Sequence, residues 1–391
     1  MKRFRMFRLI VILMLFCCNL SHGQQWFYET VTNDLQEGGL YPSMTKDLQG
    51  NLHATWWNQF QDKLMYGFKH RDSLSWRMEP VDPLKNNGIR SKIKISPTGL
   101  VSAAWFENIN GRLFLRFGIR NAQTNLWEIE NPSDDQWGNY SKAQTMNDPY
   151  LEPSLDFDFE NATNVHLLFF NARYNRQLNQ YGLDMRYTYR YNSGNWQKPE
   201  FLLPDLPLWR LDLPYDELIA GCRYGEFMRI IRGFNGRMLS FFPGNNNGVL
   251  YRMTQNPLLG SWNITEFDSA MRLGAQNPIS QFYTDVRLGV YYEGMDITTS
   301  PDRSYHLTYS TSHRNGRNDL FEQYRALHYC RIDSNNVPRF QEIYFPFRGT
   351  YNSHTSVAVK GNDTIFISYA ERDSNRYRLA YSTDTGFTWQ L

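Results

Sequence analysis

Six aromatic residues, Trp76, Trp127, Trp196, Trp262, Phe340 and Trp389, stand at one place in six related stretches of this chain. Each opens a short strand after a turn. Before it come a period-two strand with a small or polar start, a Gly/Asn/Asp turn, an aromatic-rich strand and a third strand. A repeating unit of a few tens of residues cannot bury its apolar face alone, so the copies must stack. Four short strands per copy select a β-propeller.

Alternation and turn chemistry set the layout. Blade one is expected at 41–47, 51–58, 63–70 and 76–81, and blade two at 90–96, 100–108, 112–120 and 127–131. In blade three Leu155, Phe157 and Phe159 alternate with Asp156 and Asp158, followed by 165–171, 182–191 and 196–203. Blade four takes 226–232, 237–242, 249–254 and 262–267, and blade five 294–300, 305–311, 325–332 and 340–345. Blade six has 355–360, 364–370 and 377–382, then only 389–391 where a fourth strand belongs. Residues 25–31 resemble the fourth strands at 75–81 and 195–202, so they are expected to complete blade six and close the ring, removing exposed edges. A seventh blade at 271–292 is the competing layout, but that stretch lacks the turn and tryptophan. The expected fold is all-β: a six-bladed propeller of four-stranded antiparallel blades, one domain over 24–391.

Residues 1–23 read as an export signal: Lys2, Arg3, Arg5 and Arg8, an apolar run from Leu9 to Phe16, and the small-x-small pattern Ser21-His22-Gly23. The run is too short for an ordinary membrane span. A lipid-anchored cysteine is disfavoured because Phe16, not a small residue, precedes Cys17. The expectation is a protein secreted or delivered to a periplasm or cell surface. Removing the signal leaves 37 Lys+Arg against 39 Asp+Glu, a net charge of about −2. With no basic block remaining, nucleic acid and anionic membrane are poor partners. Cys222 and Cys330 remain, and are expected as separate buried thiols on different blades. A monomer is expected.

Ser382-x-Asp384-x-Gly386-x-Thr388-Trp389 resembles an Asp box, the turn motif of BNR-repeat proteins in the sialidase-like propeller superfamily. The resemblance in architecture covers the mature chain, while the motif is intact once. It implies that Asp384 accepts backbone hydrogen bonds, that Gly386 takes a positive φ, that Trp389 packs between blades, and that the propeller axis recognises or cleaves a glycan. Sialidases carry an early Phe-Arg-Ile-Pro-type segment with the first of three substrate-binding arginines. Nothing here matches it, so no arginine triad is carried over, although Arg90, Arg173, Arg314, Arg348 and Arg372 all fall in candidate upper loops.

If the innermost strands start at the upper face, the connections between blades converge there and carry function. The longest span 132–153, 203–225, 268–293, 171–181 and 312–323, rich in Trp137, Tyr140, Tyr150, Trp209, Tyr215, Phe282, Tyr283, Tyr291 and Tyr292. Such aromatics suit stacking on sugar faces, though ordinary burial accounts for more than half of them. Aligning the six strand starts brings Tyr41, Arg90, Glu152, Glu226, Glu293 and His354 around the axis. Glu152, Glu226 and Glu293 are the candidate catalytic carboxylates of a glycoside hydrolase, which needs one protonated and one ionised group. Arg90, Tyr41, His354, Tyr351 and Tyr292 are the candidate substrate-binding residues. With His354 or Tyr351 as base and Arg90 neutralising a uronate, the same ring suits a polysaccharide lyase. Ion pairing across the axis explains the charges equally well. His53, His166 and His306 share one strand-start position and read as structural. No residue spacing points to zinc or calcium, and no cofactor is expected. A lectin with repeated sites would show the same ligand residues in every blade, which this chain does not, so one central site, catalytic or binding, is the expectation.

Overall fold

The computed structural model describes residues 31, 39–84, 88–109, 112–133, 154–175, 180–192, 194–202, 228–243, 249–255, 262–269, 290–314, 323–344, 352–371 and 376–391. They form six antiparallel sheets, five of four strands and one of three, the blades of a six-bladed propeller. Blade one holds β1 (Gly39–Lys46), β2 (Leu52–Asn58), β3 (Lys63–Lys69) and β4 (Arg77–Pro80). Blade two holds β5 (Ile89–Ile95), β6 (Val101–Ile109), β7 (Arg112–Arg120) and β8 (Trp127–Glu130). In blade three follow β9 (Ser154–Phe159), β10 (Val165–Asn175), β11 (Gln180–Arg190) and β12 (Glu200–Phe201). Blade four has β13 (Arg229–Arg232), β14 (Met238–Pro243), β15 (Val249–Gln255) and β16 (Trp262–Ser269). Blade five has β17 (Val290–Thr299), β18 (Tyr305–Arg314), β19 (Gln323–Ile332) and β20 (Pro338–Tyr344). Blade six has β21 (Asn352–Lys360), β22 (Thr364–Glu371) and β23 (Arg376–Ser382), with Tyr381 bridged to Gln390. The innermost strands β1, β5, β9, β13, β17 and β21 pack in that order. The expected signal 1–23 and residues 25–30 of the expected closing strand 25–31 lie outside the described residues, as does Cys222, while Cys330 is fully buried.

Three expectations are corrected. Strand runs into both ends of the stretches taken as loops at 171–181 and 312–323, because β10 pairs with β11 out to Asn175↔Gln180 and β18 with β19 out to Arg314↔Gln323. Arg173 and Arg314 therefore sit on strands. Likewise β17 starts early, pairing Tyr291 and Tyr292 with β18 and leaving Glu293 at a register shift beside them. The reason is common to all three: a two-stranded extension satisfies its backbone groups by pairing and needs no apolar face.

The core is divided among the seams. Five apolar clusters each join consecutive blades, from Tyr66 with Ile93 and Trp105 to Tyr329 with Ile367 and Tyr369. Full burial of each such large side chain contributes about 1.5–3 kcal/mol. The fourth-strand aromatics complete these seams. Trp127 meets Tyr66 edge-on at 5.3 Å, Trp196 meets Phe117 at 5.2 Å, Trp262 meets Tyr187 at 5.1 Å and Trp389 meets Tyr329 at 5.0 Å, each partner on the third strand of the preceding blade. Between β21 and β1 no such cluster occurs among the described residues, and Leu40 and Met44 on β1 are exposed.

Below the seams, blades one, three and five repeat a polar device. His53 Nδ1 accepts from the Tyr66 hydroxyl (2.7 Å), His166 Nδ1 from Tyr187 (2.6 Å) and His306 Nδ1 from Tyr329 (2.7 Å). His306 then donates through Nε2 to Ser300 Oγ (2.8 Å), which donates to Asp302, itself held by Arg331. Burial keeps the imidazoles neutral and pulls His306 down to about 4. These histidines are structural. The turn at 382–389 is built alike: Asp384 accepts from the Phe387 and Thr388 amides (3.0 and 2.9 Å) and the Thr388 hydroxyl (2.6 Å), and these bonds hold its carboxyl well below the usual range. Gly386 has φ +82°, and a β-carbon there would lie 2.5 Å from the Tyr329 ring.

Candidate functional site

A β-bulge breaks the ladder at the start of four innermost strands. The register shifts between Leu40 and Ser43 on β1 and between Ile89 and Lys92 on β5, at the same ladder position. On β17 and β21 the shifts fall between Tyr292 and Gly294 and between Ser353 and Ser356, farther from the hairpin than on β1 and β5. The extra residues at these four places include Tyr41, Arg90, Glu293 and His354, four members of the ring expected from aligning strand starts. Bulges re-aim side chains and terminate pairing, and they are frequent beside active sites.

Blades one and two add a backbone signature. Tyr41 and Arg90 are left-handed, with φ 55° and 56°. For non-glycine residues this conformation costs roughly 1–2 kcal/mol, which the surrounding structure must impose. Their side chains meet: the Arg90 guanidinium lies 3.9 Å from the centre of the Tyr41 ring, which is parallel to Trp57 within 6° at 6.4 Å. Trp57 donates from Nε1 to Asp62 (3.1 Å), fixing the far side of the stack. Arginine, tyrosine and tryptophan thus form a half-buried flat wall of the mouth. Glu152, Glu226 and Tyr351, with the candidate aromatics from Trp137 to Tyr283, lie outside the described residues. Tyr292 and Glu293 are placed on β17 and His354 on β21 by the backbone.

Beneath the bulges runs a belt of charge that the sequence reading missed. Lys94 Nζ reaches Asp156 Oδ1 (3.2 Å) and donates to the Ile230 carbonyl (2.9 Å). Arg229 Nε lies 3.4 Å from Asp296 Oδ1. The carboxylates also cap the inner edge of the following blade: Asp156 accepts from the Ile230 amide (2.9 Å), Asp158 from Arg232 (2.8 Å) and Asp296 from Val357 (3.0 Å). Ser43 Oγ does the same for Ile93 (3.1 Å). Innermost strands have one edge without a ladder partner, and side-chain oxygens satisfy it here. Burial pushes Asp158 up, against the pull of Lys94. Burial and then the neighbouring Arg229 draw the Lys92 ammonium down to about 8. The signal for this belt was the charged alternation of Lys92 with Lys94 and of Asp156 with Asp158. Among the described residues no cluster of His, Cys, Asp and Glu fits a metal ion.

No family model matches the sequence, and no curated protein matches it. Among solved structures it is similar to a PL25 ulvan lyase, with a TM-score of 0.52 at 9% identity over 90% of this chain and 81% of the other. It is also similar to the GH93 α-L-arabinofuranosidase of Fusarium graminearum, with a TM-score of 0.49 at 11% identity over 90% of this chain and 94% of the other. A third is the NanB sialidase of Streptococcus pneumoniae, with a TM-score of 0.35 at 11% identity over 92% of this chain and 63% of the other. At such identities the likeness is one of fold.

Proposed function

We propose that this is a secreted carbohydrate-active propeller, glycoside hydrolase-like, acting on a poly- or oligosaccharide at the mouth of its axis. The observation that carries the reading is the convergence of bulged strand starts on Tyr41, Arg90, Glu293 and His354, with two of them in strained backbone. Repeats that solve one folding problem should look alike, and here the starts share their distortion while differing in chemistry. Glu152, Glu226 and Glu293 supply the acid and the nucleophile or base. Tyr41, Arg90, Tyr292, Tyr351 and His354 hold the sugar by stacking and hydrogen bonding. A carboxylate pair ~5–5.5 Å apart gives retention and ~6.5–9.5 Å gives inversion.

The lyase reading is favoured by one feature, the shared bulging that brings a histidine and an arginine to strand starts, and the ulvan lyase fold is consistent with it. There His354 removes the proton α to a uronate carboxylate that Arg90 neutralises, the freed electron pair forms the double bond, and the glycosidic oxygen on the β-carbon leaves and takes up a proton from water or from the base. Binding without turnover is the third outcome. Glycan screening followed by Glu152→Gln, Glu226→Gln and Glu293→Gln separates them: a true acid or nucleophile loses ~10²-fold or more in turnover with folding intact. If all three variants keep full activity, the hydrolase reading is wrong, and loss in His354→Ala with an unsaturated product establishes the lyase. Binding with no product places the protein among recognition modules.

A further inference from the structure

Lys92 is the unanchored member of the axial belt. Lys94 is spent on Asp156 and the Ile230 carbonyl, and Arg229 on Asp296 and the Met228 carbonyl. Asp156 is further occupied by the Phe157 and Ile230 amides, and Asp296 by Ser356 Oγ and the Val357 amide. Lys92 forms no hydrogen bond or ion pair among the described residues, although it lies within the field of Arg229, Asp156, Asp296 and Lys94. Three cations therefore share two carboxylates whose oxygens are already taken. Asp158, the third carboxylate of the belt, accepts from the Arg232 and Phe159 amides, and burial raises its pKa against the pull of Lys94. A half-buried ammonium with three donors and no partner is costly, and an incoming anion relieves the cost with a charge-assisted bond.

Position gives this group access to a ligand. Arg90, stacked at the mouth, and Lys92 are two residues apart on β5. Across the bulge, two residues of chain place them at most roughly 7 Å apart, a distance that one sugar residue with its substituent spans. We propose that Lys92, backed by the Arg229 guanidinium, is an anion subsite of the axial recess that takes the oxyanion of an acidic sugar, a uronate carboxylate or a sulfate ester. The proposal rests on the carbohydrate reading of the mouth. The Arg90–Tyr41 wall holds the ring, and Lys92 holds its charge from below. Binding of the anion returns the amine toward an ordinary lysine pKa, so affinity for acidic sugars falls as pH rises above 8, whereas affinity for neutral ones does not.

Matched probes test it: a glucuronate oligosaccharide beside its carboxyl-reduced form, and a sulfated oligosaccharide beside its desulfated form. Each is titrated into the wild type, Lys92→Met and Lys92→Arg. The expected result is a loss of about tenfold or more for one acidic probe in Lys92→Met, with its neutral counterpart unchanged and Lys92→Arg largely restored. Which acidic probe responds identifies the carboxylate or the sulfate. A wild type that prefers the neutral forms, or a folded Lys92→Met variant that binds the acidic forms as tightly, overturns the subsite and leaves the carbohydrate reading standing. If the wild type binds no glycan, that reading falls, and the subsite is judged alone. Lysines are then ¹³C-dimethylated, the Lys92 resonance is assigned by its loss in Lys92→Met, and glucuronate or sulfate is added. A shift supports the anion site, and no shift with either overturns it.

Discussion

The seams and the mouth of this propeller treat repetition in opposite ways. In the seams the same solution recurs: a fourth-strand tryptophan edge-on to the preceding blade, and a His–Tyr bond in every second blade. The histidines there are pulled toward neutrality by burial. At the mouth the backbone distortion recurs while the side chains change from Tyr41 to Arg90, Glu293 and His354, and below them Lys92 is left without an anchor. Repetition marks a folding problem that every blade shares. On the proposed reading, divergence on a shared, bulged backbone marks chemistry done once.

Perturbing the seams should therefore cost stability, and perturbing the mouth should cost binding. The largest effect is expected from deleting residues 24–31. If they complete blade six, beside a β23 otherwise bridged to Gln390, unfolding free energy falls by several kcal/mol in denaturant titration, since a strand loses its hydrogen-bond partner and cover. An unchanged midpoint would remove ring closure from the account.

Next comes acid. The His306 pKa is about 4 in the fold and about 6.5 when unfolded, so between these values the unfolded chain binds the extra proton and stability rises with pH. Stability is full above pH 6.5, declines as pH falls toward 4 by roughly 3 kcal/mol for this residue, and levels off below. His306→Gln should flatten that part of the pH–stability curve. Persistence of the full slope in the variant would show that another group causes it.

Gly386→Ala is expected to destabilise by about 1–3 kcal/mol, because φ is +82° and the new methyl group meets Tyr329 at 2.5 Å. The mouth should behave in reverse. Arg90→Gly relieves a left-handed backbone at φ 56° and should change stability by less than ~1 kcal/mol in either direction, while abolishing glycan binding. A loss of stability comparable to Gly386→Ala would make Arg90 one more seam residue.

The same contrast explains what was legible in the chain. Trp127, Trp196, Trp262 and Trp389 announced the seams because each performs one packing task in a fixed place. The ring of Tyr41, Arg90, Glu293 and His354 could be aligned because strand starts follow from strand ends. The bulges could not be foreseen, since a bulge is one extra residue in a ladder and no residue type demands it. Lys92 was hidden for another reason: in Ile89-Arg90-Ser91-Lys92-Ile93-Lys94-Ile95 a lysine reads as the solvent side of a strand, and only stacking the blades shows that this side faces the axis. The outward extensions of β10 and β18 were invisible because residues such as Asn171, Arg173 and Ser312 carry no strand-like apolar pattern.

The central claim is that the diverged mouth, and not the repeated seams, is where this protein meets its ligand. A crystal structure with an oligosaccharide identified by glycan screening tests it most directly. Sugar density is expected against Tyr41 and Arg90, reaching toward Lys92. Density confined to the turn face around Asp384, or to the outer fourth strands, would contradict it.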